Sequence, residues 1–487
     1  MSINKPSLAI ALLPIFLLIT LLSINVLIFG DNTISGSNQL TLLISAAFAA
    51  ILGLFYGSNY KEMLDGAIES ISSAMGALII LLLIGSLAGT WMMSGIVPSM
   101  IYFGLKLLSP SIFLFAACII CSVVSLATGS SWSTIATIGI AMLGIGNALG
   151  INEGLTCGAI ISGSYFGDKM SPLSDTTNLA PAMAGTDLIS HIKYMMWTTI
   201  PSIIITLIIF FIIGLNLDAQ VGQLTQIESL QNALSTSFNI SSWTLIVPII
   251  VIIMIIKKVP AIPALLFGSI AGGFYGAIFQ PNLIEEISGS VSVSSLDYIK
   301  NSYIAVVNAM TVDVYIQTSN IAVNDLISTS GMSGMLNTIW LIICAMSFGG
   351  IMEKTGFLST ITNSLMKFVN SQKSLILTTS GTCLFLNITA SDQYLAIVVP
   401  GRMFASSYKK YGLDPKNLSR TLEDTATVTS PLVPWNTCGA THAGVLGIST
   451  FIYLPYCFFN LISPLMTLIF AYGNIKIAKL SKDKITN

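Results

Sequence analysis

Charge is what this chain has least of. Asp, Glu, Lys and Arg make up 8% of its 487 residues, against about 25% in an ordinary soluble domain. A soluble protein of this length would need a far larger polar surface, so most of this one faces lipid. A Gly-x-x-x-x-Gly-Lys-Ser/Thr loop is missing, which removes the usual cradle for ATP phosphates. The formal net charge is −1, with no basic patch, which excludes a nucleic-acid footprint. Cysteines number seven and are scattered through apolar segments. Cys118 and Cys121 form a C-x-x-C inside the apolar run Phe113–Val124 and read as small buried hydrophobes, with no Cys/His pair nearby to complete a metal site. The constellation expected of a membrane enzyme and the acidic rings or carbonyl filter expected of a channel are both missing.

What is present is apolar length. Leu8–Gly30, Leu40–Gly57, Ala74–Met93 and Trp197–Leu215 each approach the roughly 20 residues that cross a bilayer core. The first run has no small-x-small cleavage site and reads as a retained helix, not a signal peptide. The expected class is an all-α polytopic membrane protein.

Short identities recur in order along the chain. Ser94-Gly95 matches Thr355-Gly356, and Thr128-Gly-Ser-Ser-Trp matches Thr389-Ala-Ser-Asp-Gln, both at a spacing of 261. Ser-Pro-Leu at Pro172 returns at Pro431, 259 positions on, and Phe55-Tyr56-Gly57 returns at Phe274-Tyr275-Gly276, 219 positions on. The difference in spacing places an inserted polar segment around residues 280–328. The stretch Asn216–Ser242 holds no Lys or Arg and is expected outside, whereas Lys257-Lys258 and Lys476, Lys479, Lys482 and Lys484 are expected in the cytoplasm. Lys5 favours a cytoplasmic start. These orientations predict two inverted-topology repeats with broken, discontinuous transmembrane helices: residues 1–215, an external linker loop 216–242, and residues 243–487.

Intramembrane polarity collects at the two Ser-Pro-Leu segments. In lipid, broken backbone and ionisable side chains are tolerated mainly where they line a site. The first segment offers Asp168, Ser171, Asp175, Thr176 and Asn178; the second offers Glu423, Asp424, Asn436 and Thr437, with Asp392 in a further polar break. Hard cations favour such oxygen ligands, and Asp168, Asp175 and Asp424 are the expected Na⁺ ligands. A solvated loop holding Asp168-Lys169 and Asp175 is the competing reading. Thr128–Ser133 is expected to line a break opposite Asp392. Arg402 and Arg420 are the only arginines. Arg420 stands three and four residues before Glu423 and Asp424, within helical ion-pair reach, and either arginine could instead meet a substrate carboxylate. His191 and His442 read more readily as structural than as titrating groups.

A carboxylate couples Na⁺ to H⁺ when it cannot hold both. Bringing an aspartate from its ordinary value of about 3.9 to about 7.5 takes about 5 kcal/mol, which burial and a neighbouring acid can supply. The scheme needs no cofactor and no ATP.

The block Gly163-Ser-Tyr-Phe-Gly-Asp-Lys-Met-Ser-Pro-Leu-Ser-Asp-Thr-Thr-Asn-Leu-Ala-Pro181, the stretch Leu418-Ser-Arg-Thr-Leu-Glu-Asp-Thr425 with Thr429-Ser-Pro-Leu-Val-Pro-Trp-Asn-Thr-Cys-Gly439, and Thr389-Ala-Ser-Asp-Gln-Tyr394 with Pro400-Gly-Arg-Met-Phe404 resemble the NhaC family of sodium/proton antiporters. The resemblance covers nearly the whole chain. It implies a multi-pass Na⁺/H⁺ antiporter of the bacterial inner membrane, with Na⁺, H⁺ and the lipid bilayer as partners and a homodimer as a further expectation. The family also holds exchangers of organic acids, such as malate for lactate, and of amino acids, so an exchanger of that type is the alternative.

Overall fold

The structure is a computed structural model that describes residues 6–29, 36–217, 221–257, 259–317, 324 and 327–480. Lys5, Lys258, Lys482 and Lys484, which entered the orientation argument, lie outside the described residues. So do 318–323, 325 and 326 of the expected insertion. Among the described residues every element is helical, apart from isolated bridges joining Val314 to Thr329 and Leu413 to Lys479.

The first part runs through α1 (Leu8–Phe29), α2 (Ser37–Phe55), α3 (Tyr60–Met93), α4 (Ile96–Leu107), α5 (Pro110–Thr128), a short α6 (Ser131–Thr134), a π turn (Ile135–Gly139), α7 (Ile140–Ala148), α8 (Glu153–Met170), α9 (Asp175–Ala184) and α10 (Leu188–Leu215). The stretch 216–242, expected as a loop, is helical over α11 (Val221–Ser237). Leu230, Ala233, Leu234 and Phe238 recur at helical spacing and are buried there. Next come α12 (Ile246–Ile256), α13 (Ala261–Phe279), α14 (Pro281–Ser288) and α15 (Ser295–Thr311); the last two fall in the expected insertion. The chain closes with α16 (Leu336–Lys354), α17 (Phe357–Leu365), α18 (Gln372–Thr389), α19 (Gln393–Lys410), α20 (Pro415–Leu422), a π turn (Glu423–Thr427), α21 (Thr437–Leu446), α22 (Thr450–Tyr453) and α23 (Phe458–Tyr472). Among the described residues, seven helices are long and apolar enough to cross a membrane, or up to nine if each bent pair counts as one span. The protein is a multi-pass membrane protein. The 18-residue α8, α18 and α19 are not among the seven, because polar residues break up their apolar content.

Helix boundaries recur along the chain. Left-handed Gly95 and Gly356, which precede α4 and α17, stand 261 apart, with φ of 78° and 74°. The caps Asn152 and Asp414 of α8 and α20 stand 262 apart. The same spacing separates Ser174 and Asn436, the caps of α9 and α21. Both of those helices are ten residues long and stop at left-handed glycines, Gly185 and Gly447.

Two hydrophobic clusters form the interior. One gathers the later turns of α3 with α4, α5, α7, α8 and α11–α15, and also takes in Val428, Ala443, Tyr453 and Phe459 from the end of the chain. The other gathers α1, α2 and α16–α20, and takes in Ala180 and Ala184 of α9. The helix after each Ser-Pro-Leu break therefore reaches into the cluster built mainly by the opposite part of the chain.

The seam between α5 and α8 sets the first break in place. A Cβ on Gly163 would lie 2.2 Å from the Cys118 carbonyl oxygen, and one on Gly167 would lie 2.3 Å from that of Ser122. This is close small-residue packing of the kind that holds helices together in lipid. The Ser125 hydroxyl donates across the seam to the Ser164 carbonyl at 2.6 Å. Gly167→Leu is expected to force the helices apart and to cost at least about 1–3 kcal/mol. Its readout is the thermal midpoint in detergent, and an unchanged midpoint contradicts the packing argument.

Candidate cation-binding site

α8 ends at Met170 because Pro172 has no N–H to continue the ladder and the residue before a proline avoids the helical region. Neighbouring side chains take up the freed backbone groups. The Ser171 N–H donates to the Asp168 carbonyl at 3.0 Å, and the Ser171 hydroxyl oxygen accepts from the Leu173 N–H at 3.2 Å. Thr177 donates to the carbonyls of Asp168 and Lys169 at 3.2 and 3.1 Å. Asn178 donates to those of Pro172 and Ser174 at 3.0 and 2.6 Å. Thr176 is buried with its hydroxyl 3.1 Å from that of Ser174. Ser171 and Asn178, read as ligands from sequence, thus serve the break itself.

Against this break lies the turn from α5 to α6. Gly129 has φ of 71°, and a Cβ there would sit 2.7 Å from the Leu173 carbonyl carbon. That close approach brings Ser131 to Asp168. The Ser131 N–H and hydroxyl donate to Asp168 Oδ2 at 3.1 and 2.6 Å. Oδ1 of the same carboxylate is buried and has no partner. Asp168 and Lys169 are both buried, so the solvated-loop reading fails for them. Asp175 is exposed; it accepts from the Thr176 N–H at 2.8 Å and from the Tyr394 hydroxyl.

A cavity of about 420 Å³ gathers these groups from both parts of the chain. Asp168, Asp175, Ser130, Ser133 and Trp132 line it from one side, and Asp392, Gln393, Tyr394, Thr437 and Cys438 from the other. Asp392 also caps α19, accepting the Leu395 N–H at 2.8 Å. Gln393 Oε1 accepts from the Ser430 hydroxyl at 2.8 Å.

The second break is stitched by amides and rings. Asn387 donates to the Ala426 carbonyl at 2.8 Å, Asn460 to that of Val428 at 2.7 Å, and the Trp435 indole to that of Ile388 at 2.7 Å. Asn436 caps α21, accepting the Cys438 N–H at 3.0 Å. Asp424 does not line the cavity. One of its oxygens accepts from the Lys169 ammonium and the other from the Thr467 hydroxyl. Among the described residues, Asp168, Asp175 and Asp424 form no cluster able to hold a metal ion together. Glu423 is fully buried next to Asp424, with neither oxygen in a hydrogen bond of normal geometry and the Thr427 hydroxyl facing it.

Arg420 reaches neither acid. Its guanidinium lies 4.6 Å from the Tyr194 ring centroid and 5.8 Å from that of Phe470, with Nη1 3.4 Å from the Lys476 carbonyl. The π turn beginning at Glu423 breaks the i, i+4 register on which the expected pair depended. Arg402 is exposed on α19. His442 is buried with Nε2 2.8 Å from the Tyr165 hydroxyl, and His191 is buried with Nδ1 2.8 Å from the Ser419 hydroxyl.

With this geometry in view, known proteins supply the context. The sequence pattern of the Na⁺/H⁺ antiporter family matches residues 163–475, which hold both breaks. "Na(+)/H(+) antiporter NhaC" of Alkalihalophilus pseudofirmus is 36% identical over 91% of this chain and 91% of its own length. The chain belongs to the Na⁺/H⁺ antiporter family. "Malate-2H(+)/Na(+)-lactate antiporter" of Bacillus subtilis is also 36% identical, over 89% of each chain. "Arginine/ornithine antiporter ArcD" of Halobacterium salinarum is 35% identical over 97% of this chain and 93% of its own.

Ser131 falls in the stretch Thr128–Ser133 expected to lie opposite Asp392, whereas Gln393 and Tyr394, which line the cavity, and Lys169, which holds Asp424, escaped the sequence reading. Lys169 carried a signal, as a lone ammonium between Asp168 and an apolar Met. Its partner lies 255 positions away, and spacing could not have supplied it.

Proposed function

We propose that this protein is a secondary active antiporter of the bacterial inner membrane that exchanges Na⁺ for H⁺. The observation that carries the reading is a single cavity lined by Asp168, Asp175 and Asp392, with a buried Asp168 oxygen left without a donor. Such an oxygen suits a small hard cation. The name of the Alkalihalophilus pseudofirmus relative agrees with it. Helix boundaries recurring at 261 and 262 support two copies of one motif. Their inverted orientation rests on the charge asymmetry of the connecting stretches.

A second cavity of about 970 Å³ supports alternating access. α3 gives Ala74 and Ile80 to the first cavity and Gly85 and Met92 to the second. α21 gives Thr437 and Cys438 to the first and Gly444 and Leu446 to the second. α21 thus stands between them, and rocking of one repeat on the other would expose the carboxylates to each side in turn.

Exchange of an organic acid or amino acid is the second reading, and the malate–lactate and arginine/ornithine relatives favour it. Neither Arg402 nor Arg420 lines the cavity, so the expected clamp on a substrate carboxylate is not found there. Proteoliposomes with an internal pH dye and an imposed Na⁺ gradient decide between the two. Proton movement with Na⁺ alone is the expected outcome, and strict dependence on added malate, lactate or amino acid overturns it. With one proton released for each Na⁺ bound, apparent Na⁺ affinity falls by up to about tenfold for each unit of acidification. A pH-independent affinity contradicts this coupling of Na⁺ to H⁺.

A further inference from the structure

We propose that Glu423, beside the Lys169–Asp424 ion pair, is a second ionisable site that carries the exchanged proton, separate from the cavity that takes Na⁺. The assignment rests on the Na⁺/H⁺ reading and deepens it. Lys169 comes from α8 and Asp424 from the second π turn, and both are fully buried. The ammonium also donates to the Ser463 hydroxyl at 2.9 Å and lies 5.6 Å from the Phe459 ring centroid. With Thr467 on its other oxygen, Asp424 is satisfied and its charge is balanced. Glu423 is left over. It is fully buried, and neither oxygen makes a hydrogen bond of normal geometry; the Thr427 hydroxyl one turn on, with no other partner, is the side-chain donor facing it. An ionised carboxylate with one weakly placed hydroxyl donor and no ion-pair partner of its own is costly in such a place. The carboxyl therefore holds a proton while Lys169 stays on Asp424, and on losing it must draw on the Lys169 charge.

The groups facing Glu423 define the coupling. Lys169 and Asp168 face it from α8, and Asp424 from its own turn. α18 and α19 bring Cys383 and Tyr408 to the neighbouring Thr425 and Thr421, and α10 brings His191 close to Asp424 and Lys169. Arg420 turns away to Tyr194 and Phe470. Asp168 and Lys169 are adjacent residues, with the first at the cavity and the second at the ion pair. A Na⁺ on Asp168 removes negative charge beside Lys169 and Glu423, and so favours release of the proton from the Glu423 carboxyl.

Two fluxes in proteoliposomes separate the sites: Na⁺-driven proton movement, and exchange of labelled external for unlabelled internal Na⁺. Glu423→Gln is expected to lower the first by about tenfold or more and to keep the second within about twofold. Unaltered protein that exchanges Na⁺ for H⁺ while Glu423→Gln does so equally well overturns this assignment alone. Loss of both fluxes in a variant with unchanged helicity and elution profile also overturns it, because Glu423 then belongs to the Na⁺ site. No exchange by unaltered protein overturns both this assignment and the antiport reading. Should Glu423→Gln fail to fold, Glu423→Asp keeps an acid one methylene shorter. It is expected to move the pH midpoint of exchange but not the Na⁺/Na⁺ flux, and an unmoved midpoint overturns the proposal.

Discussion

Asp168→Asn is expected to lose at least about 100-fold in Na⁺-driven exchange while remaining folded. Removing one partner of a desolvated charge pair costs about 2–5 kcal/mol, and a 100-fold loss corresponds to about 2.7 kcal/mol. The fold should survive because asparagine has nearly the same shape. Its amide oxygen can still accept the Ser131 N–H and hydroxyl that now reach Oδ2 at 3.1 and 2.6 Å. What disappears is the negative charge behind Oδ1, the buried oxygen without a partner. Asp392→Asn offers an internal contrast. Its carboxylate already accepts the Leu395 N–H at the start of α19, and an asparagine caps a helix about as well, so whatever exchange it loses reports charge and not capping. Labelled Na⁺ uptake, with an elution profile to certify folding, makes the comparison. Sodium dependence in Asp168→Asn close to that of unaltered protein would remove Asp168 from the site.

The membrane class was legible because lipid imposes it on every segment: 8% charge cannot clothe a soluble protein of 487 residues. The helix ends near the two Ser-Pro-Leu segments were legible in part: α8 stops at Met170, before Pro172, and the second segment leaves helix after Leu432, although Pro181 and Pro400 sit inside α9 and α19. The contents of the breaks were harder to sort. A broken helix leaves orphan N–H and C=O groups, and Ser, Thr, Asn and Asp beside the break are drawn to those groups as strongly as to a ligand. Asn436 caps α21 and Asn178 holds two carbonyls of the first break, yet both read as cation ligands from composition. The acids at the cavity could be told apart only by where the chain folds back. Asp168, Asp175 and Asp392 converge at one cavity from α8, α9 and the start of α19, a meeting of distant segments that local periodicity does not encode. Arg420 shows the opposite failure. Its spacing to Asp424 promised an ion pair, but the π turn at Glu423 shifted the register and gave Asp424 to Lys169 instead.

Asp424→Asn is expected to be the most destabilising single change in the chain's polar interior, at about 3–5 kcal/mol, because it strands the Lys169 ammonium in a fully buried place without a counter-charge. Lys169→Met should cost a similar amount by stranding Asp424. Total stabilities are only on the order of 5–15 kcal/mol, so either single change should lower the thermal midpoint in detergent by a readily measured interval. The double variant Lys169→Met/Asp424→Leu behaves differently. It removes both charges together, and swapping a buried pair for apolar groups of similar volume is commonly neutral or stabilising. The hydroxyls of Ser463 and Thr467 can then turn to carbonyls one helical turn back. A midpoint near that of unaltered protein is therefore expected for the double variant, below which both single variants should fall. Single variants as stable as the unaltered protein would show that the buried charges never depended on each other. If the order holds, the double variant has a further use. It leaves Asp168, Asp175 and Asp392 in place at the cavity while removing the Lys169 charge beside Glu423, so its failure to couple protons would be a loss of mechanism in a protein that still folds.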